Sequence, residues 1–228
     1  MFQKKTCLII AFALFSFSKS VKSQDWGNLM KYQASNEKID VLTPNENRVV
    51  FMGNSITEGM PKSFFEGKSY INRGIGGQTT PQMLLRFRQD VIDLKPKIVL
   101  ILAGTNDIAG NTGPMTLEQI RDNILSMVEL AESNGIIPIV CAVLPAYDYP
   151  WRPGLQPNVK IPELNQLLSQ MAKEKKVPYL DYFEAMADDR NGLPKALTTD
   201  EVHLTAKGYA VLGKLAEEAI AKALNMMK

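Results

Sequence analysis

A chain of 228 residues, 45% hydrophobic and 22% charged, can bury one large core, and it has neither the composition of a disordered protein nor an internal repeat. Its formal net charge of +2 comes from the first 23 residues, which hold Lys4, Lys5, Lys19 and Lys22 and no acid; the remainder carries 22 basic and 24 acidic residues, a net of −2. No dense Lys/Arg stripe with interleaved aromatics is present, so the sequence offers no footprint for nucleic acid.

In chain order, "MFQKKTCLIIAFALFSFSKSVKSQDW" comes first and has the three parts of an export signal. Lys4 and Lys5 form its positive start, residues 7–17 its apolar run, and small serines lead to a cleavage expected after Ser23, with Val21 at position −3. A bilayer span takes about 20 residues, so this run is too short to remain as an anchor. The expected product is exported, periplasmic or secreted, with no transmembrane anchor after cleavage. It keeps only Cys141, since Cys7 lies inside the leader, and can form no internal disulfide. Residues 24–47 are polar and weakly patterned, and read as an N-terminal extension or a short helix on the outside of a domain spanning 48–228.

That domain alternates strand-like and helix-like segments. "RVVFMG" (48–53) and "SYINRGI" (69–75) read as strands. "TTPQMLLRFRQDVIDL" reads as a helix, with Thr80 as its N-cap, Pro81 at the first helical position, and Leu84, Phe87, Val91 and Leu94 on one face. "KIVLILAGT" (97–105) is apolar throughout, as a strand covered on both faces should be. Thr116 and Gln119 form a capping box for a helix running to about Asn134. "IIPIVCAVL" (136–144) is a further buried strand, followed by a Pro/aromatic loop, a helix from about 160 to 175, and "VPYLDYF" (177–183) as a fifth strand. An amphipathic helix capped by Thr205 closes the chain. This alternation predicts an α/β fold, a three-layer sandwich with a five-stranded, mostly parallel sheet.

In such sheets functional residues gather at the C-terminal strand ends. There the sequence places "GNSITEG", "GIGGQTT", "AGTNDIAG" and, before the last helix, "DEVHL". Ser55 needs a base to become a nucleophile, and His203 is the only histidine in the chain. Asp200, three residues before it, can accept the Nδ1 proton and fix the tautomer. Candidate donors to a developing oxyanion are the backbone N–H groups of Ser55 and Gly77 and the side-chain amide of Asn106. The pieces taken singly have ordinary readings: Ser55 as a helix cap, "GIGG" as a tight turn or a phosphate loop without its lysine, "GTND" as a turn, His203 as a surface residue. One histidine and one retained cysteine leave no recognisable metal site.

Taken together and in this order, "GNSITE", "NRGIGGQTT", "GTND" and "DEVH" resemble the four sequence blocks of the SGNH (GDSL-like) esterases and lipases, nearest to the bacterial lysophospholipase/acetylhydrolase-like group. The resemblance covers about residues 48–215. It implies a flavodoxin-like sandwich, a cofactor-free serine esterase, Ser55, Asp200 and His203 as triad, and Ser55, Gly77 and Asn106 as oxyanion donors. One position departs from the pattern: Asn54 stands where the first block usually has Asp.

Between the fourth strand and the next helix lie Tyr147, Tyr149, Trp151 and Arg152, spaced by Pro145, Pro150, Pro153 and Pro157. With Asn54 these are the candidate substrate contacts; the loop is either a wall for a sugar ring or acyl chain, or a self-packed turn. The expected substrate is a small-molecule or glycan ester with a short acyl group. The alternatives are a lysophospholipase or thioesterase, a non-catalytic glycan- or lipid-binding module, and a nucleotide-binding flavodoxin-like protein.

Overall fold

The computed structural model describes residues 25–39 and 47–225. The expected leader and its cleavage point lie outside these. A short helix α1 (Met30–Asn36) precedes the domain. The domain then runs β1 (Val49–Gly53), α2 (Ser55–Glu58), α3 (Lys62–Phe65), β2 (Tyr70–Gly74), α4 (Thr80–Asp90) and β3 (Ile98–Leu102). It continues through α5 (Thr105–Ile108), α6 (Leu117–Ser133), β4 (Ile137–Cys141) and α7 (Pro157–Lys175) to β5 (Tyr179–Leu180), α8 (Tyr182–Met186) and α9 (Ala206–Asn225).

The five strands form one sheet in the order β2-β1-β3-β4-β5, and every pairing is parallel. Helices α4, α6 and α7 pack against one another on one face. The other face carries α9, which meets α3 where Phe64 presses on Gly213. This is the expected three-layer α/β/α sandwich. Strands β1 and β3 are buried along their whole length, which explains their uninterrupted apolar runs. The chain leaves β1 toward β2 and returns to β3 on the opposite side, so the crevice at the C-terminal ends of β1 and β3 is the switch point of the sheet.

Two local expectations need correction. The N-cap of α4 is Thr79, not Thr80: Thr79 and Gln82 form the capping box, while the Thr80 hydroxyl donates to the Asp107 carboxylate at 2.6 Å. The fifth strand is only Tyr179–Leu180, because the Asp181 side chain accepts from Glu184 N–H and starts helix α8. By contrast the Thr116 capping box and the end of α6 at Asn134 are as expected. Thr205 caps the last helix, accepting from Gly208 N–H at 3.2 Å. No helix among the described residues is long and apolar enough to cross a membrane.

Candidate active site

Ser55 opens α2 directly after β1, and Asn54 is the cap of that helix: its side-chain oxygen accepts from Ile56 N–H at 3.0 Å. An Asn does this as well as an Asp, which accounts for the departure in the first block without any loss of local structure. Gly53 and Gly74 are register partners at the ends of β1 and β2. Both must lack side chains, because α2 lies across them. A Cβ on Gly53 would sit 2.1 Å from Thr57 Oγ1, and one on Gly74 would sit 2.1 Å from the Glu58 backbone nitrogen.

The structure brings Ser55, His203 and Asp200 into one hydrogen-bonded chain. His203 Nε2 lies 3.1 Å from Ser55 Oγ, and His203 Nδ1 lies 2.7 Å from Asp200 Oδ2. With the proton on Nδ1, the ring donates to Asp200 and accepts from the serine. The second Asp200 oxygen accepts the backbone N–H groups of Val202 at 3.1 Å and His203 at 2.6 Å, so one carboxylate both orients the ring and folds the loop that carries it. Partial burial would raise the Asp200 carboxyl, but the donors from His203 and Val202 outweigh it and hold it below the usual carboxylate range. It therefore stays ionised beside the ring. Glu201 between them takes the left-handed backbone, with φ of 71°, which turns the loop tightly enough for this double use.

The oxyanion candidates lie on neighbouring segments. Residues Ile75 to Gln78 form a turn closed by Gln78 N–H to Ile75 O at 3.3 Å, with Gly77 left-handed at φ of 75°. A Cβ on Gly76 would lie 3.8 Å from Ser55 Cβ, so this turn runs beside Ser55. Asn106, buried in α5, donates one amide hydrogen to Gln78 O at 3.0 Å and keeps its second amide hydrogen.

Several supporting residues escaped the sequence reading. Arg86 is wholly buried and ties three things together: its guanidinium donates to Gly53 O at 3.1 Å, to Gln78 Oε1 at 2.6 Å and to Asp90 Oδ2 at 3.0 Å. Neither residue lies on the apolar face formed by Leu84, Phe87, Val91 and Leu94, so their i,i+4 spacing reads as an ordinary surface ion pair. Asp107, next to Asn106, accepts from both the N–H and the hydroxyl of Thr80 through one oxygen; its other oxygen is buried without a partner. Burial pushes its carboxyl up to about 6, against the pull of the Thr80 donors. Glu58 accepts from Gly76 N–H at 2.7 Å and from Lys31 Nζ at 2.8 Å; burial raises its carboxyl, but these two donors outweigh that and lower it.

The aromatic loop divides. Tyr149 is fully buried, its hydroxyl bonded to Thr105, so it supports the wall from behind and cannot itself touch a ligand. Trp151 stacks on it at 5.1 Å, stands 44% exposed, and places its ring 6.4 Å from the His203 ring. Tyr147 is exposed under the Arg190 guanidinium. Arg152 spends its charge on Ala109 O at 2.7 Å and Gly110 O at 2.9 Å, anchoring the loop to the end of α5. Asn54 is buried in its capping role. Among the described residues, no His, Cys, Asp and Glu side chains converge into a group that could hold a metal ion.

Known proteins resemble this chain in sequence and in fold. Residues 51–211 match the sequence profile described as the GDSL-like Lipase/Acylhydrolase family. A GDSL-like lipase of Bacteroides thetaiotaomicron superposes with a TM-score of 0.84 at 43% identity, covering 87% of this chain and 99% of that one. An acetylxylan esterase of Geobacillus stearothermophilus is 24% identical over 162 residues, 65% of this chain and 70% of that protein. An uncharacterized lipoprotein of Bacillus subtilis is 41% identical over 78 residues, 33% of this chain; the chain spans about a third of that protein's length, 32%.

Proposed function

This chain belongs to the GDSL-like lipase/acylhydrolase family of carboxylic ester hydrolases, and from that premise we propose that it is an exported serine esterase acting through an acyl-enzyme on acetyl or similarly short esters of carbohydrates. The observation that carries the reading is the Ser55–His203–Asp200 chain set beside the Gly77 turn and Asn106. His203 takes the Ser55 proton as Oγ attacks the ester carbonyl. The carbonyl oxygen becomes an oxyanion facing the N–H groups of Ser55 and Gly77 and the free amide hydrogen of Asn106. His203 then returns the proton to the departing alcohol, and water repeats the sequence to release the acid and restore Ser55. Asp200 stays charged throughout and stabilises the imidazolium.

The split between acyl and alcohol sides follows from this proton path. His203 must reach the leaving oxygen, so the group beside its ring is the alcohol. Trp151 occupies that position, exposed and backed by Tyr149, a flat apolar surface suited to the face of a sugar ring. On the inner side, a narrow, mostly apolar crevice is lined by Asn54, Ile56, Thr105, Val143, Ala146 and Val202. Its lining includes chain neighbours of Ser55, Asn106 and His203, and its small enclosed space favours a short acyl group. The related acetylxylan esterase supports an acetylated glycan, and the lipoprotein relative supports export.

An organophosphonate should label Ser55 and abolish hydrolysis of p-nitrophenyl acetate, and Ser55→Ala should lose both. Activity should then fall steeply from acetyl to octanoyl esters, and acetylated xylo-oligosaccharide should be deacetylated. Full activity in Ser55→Ala would sink the mechanism; a preference for long acyl chains would replace the short-acyl reading with a lysophospholipase or thioesterase.

A further inference from the structure

Residues 25–36 lie outside the span matched by the family profile, yet they are bonded to the oxyanion turn at several points. Tyr32 OH donates to Gly74 O, the residue before the turn. Gly27 O accepts from the Gln78 side chain at 2.9 Å, at the end of the turn. Lys31 holds Glu58, which accepts from Gly76 N–H inside it. Trp26 O and Leu29 O accept from Gln82 and Gln89, and Asn36 accepts from Arg73 Nη2 at 2.6 Å, which fixes the segment along α4 and β2.

The turn has a specific weakness that these contacts address. Turns with and without a left-handed third residue differ by a flip of the central peptide plane. Here that plane is Gly76–Gly77, and it carries the Gly77 N–H proposed as an oxyanion donor. The plane before it is fixed by Gly76 N–H to Glu58, and the plane after it by Asn111 Nδ2 to Gly77 O at 3.0 Å. The central plane has no hydrogen-bond partner of its own among the described residues. Two glycines make the flip sterically open. What keeps Gly77 N–H in place is therefore the pinning of its neighbours.

We propose that the segment Asp25–Asn36 is a positioning element for the oxyanion turn, and that Glu58, held by Lys31, is the positioning residue through which it acts. The inference rests on the serine esterase reading above. Glu58 touches no reacting atom; it fixes the plane next to the one that does.

The test compares wild type, Glu58→Ala, Glu58→Gln and Lys31→Met in the full chain. Active sites are counted by an organophosphonate burst, and kcat, KM and inhibition by a phenylboronic acid are measured with p-nitrophenyl acetate. Glu58→Ala should lower kcat per active site about tenfold, a fraction of what loss of a whole oxyanion donor costs, with KM within about twofold. The boronate inhibition constant should rise by a similar factor, because the tetrahedral adduct uses the same donors. Glu58→Gln, which can still accept from Gly76, should recover most of the rate, and Lys31→Met should fall between. Unchanged kcat per site and unchanged boronate affinity in Glu58→Ala would overturn the proposal. So would fewer active sites that each turn over at the wild-type rate, which marks a purely structural contact. If wild type itself neither turns over esters nor reacts with the phosphonate at Ser55, the esterase reading has failed and this proposal falls with it.

Discussion

Replacing Asp200 by Asn separates the two tasks of that side chain. In the wild type Oδ1 accepts two backbone N–H groups, at 3.1 and 2.6 Å, while Oδ2 accepts the ring proton at 2.7 Å. An amide has one acceptor oxygen to offer. Two backbone donors outweigh one, so the oxygen stays with the backbone and the NH2 turns to the imidazole. That forces His203 to present Nδ1 as an acceptor and to carry its proton on Nε2, facing Ser55, where it cannot take the serine proton. Loss of the correct tautomer in a serine protease triad costs about 10⁴ in rate, roughly 5 kcal/mol of transition-state stabilisation, and under the proposed mechanism the same is expected here. Because the loop contacts survive, the melting midpoint should move by no more than about 4 °C, the equivalent of some 1 kcal/mol for a domain of this size. The assay is kcat/KM for p-nitrophenyl acetate beside a thermal melt. An Asp200→Asn enzyme retaining a tenth of wild-type activity would refute the tautomer argument. One that lost activity together with its melting transition would show that the amide had failed to hold the loop.

Three further outcomes follow from the same geometry. Asp107 holds its proton more tightly in the folded protein, at about 6, than in the unfolded chain, near 3.8, so stability should fall by about 3 kcal/mol as pH rises from 4 to 6 and then level off; melts of Asp107→Asn across that range should lack the slope, and an identical slope would assign it elsewhere. Arg86→Met strands the buried Asp90 carboxylate and should cost about 3–5 kcal/mol, whereas Arg86→Met with Asp90→Leu should regain much of it; equal melting points for the two variants would show that the pair is not what matters. Trp151→Ala should raise KM for acetylated xylo-oligosaccharide about tenfold while hydrolysis of methyl acetate, too small to reach the ring, stays within about twofold; an unchanged KM would remove the sugar wall.

What could be read from the sequence, and what could not, divides by the range of the interaction. Apolar runs such as "KIVLILAGT", the Thr116–Gln119 capping box and the Thr205 cap are local, and they appear where the pattern puts them. The same holds for Asp200 and His203, three residues apart in one loop. The exchange of roles between Thr79 and Thr80 was illegible because Asp107, which claims Thr80, lies 27 residues away. The shortening of the fifth strand was a contest between a β-rich string and the capping power of Asp181, and the cap won after two residues. Arg86 reads as a solvent-facing charge in any window of α4; only the folded crevice supplies the Gly53 carbonyl and the Gln78 amide that make its burial affordable. Tyr149 and Trp151 look alike in the sequence, and only packing sends one inward. The polar extension gave no hint that its carbonyls and Tyr32 would meet the oxyanion turn.

The paired glycines at the ends of β1 and β2 also bear on how the site tolerates change. Helix α2 meets the sheet at two glycines, with the Glu58 nitrogen against Gly74 and the Thr57 side chain against Gly53. The position of Ser55 is thus keyed to the backbone at the ends of β1 and β2, with the buried Ile56 side chain as its link to the core. Such an arrangement lets layers of the interior away from Ile56 drift through conservative exchanges, losing melting temperature by degrees, before Ser55 moves. It also sets a condition on transplanting the site: "GNSITEG" carried to another parallel sheet would seat its serine correctly only where the neighbouring strand also ends in a residue without a side chain.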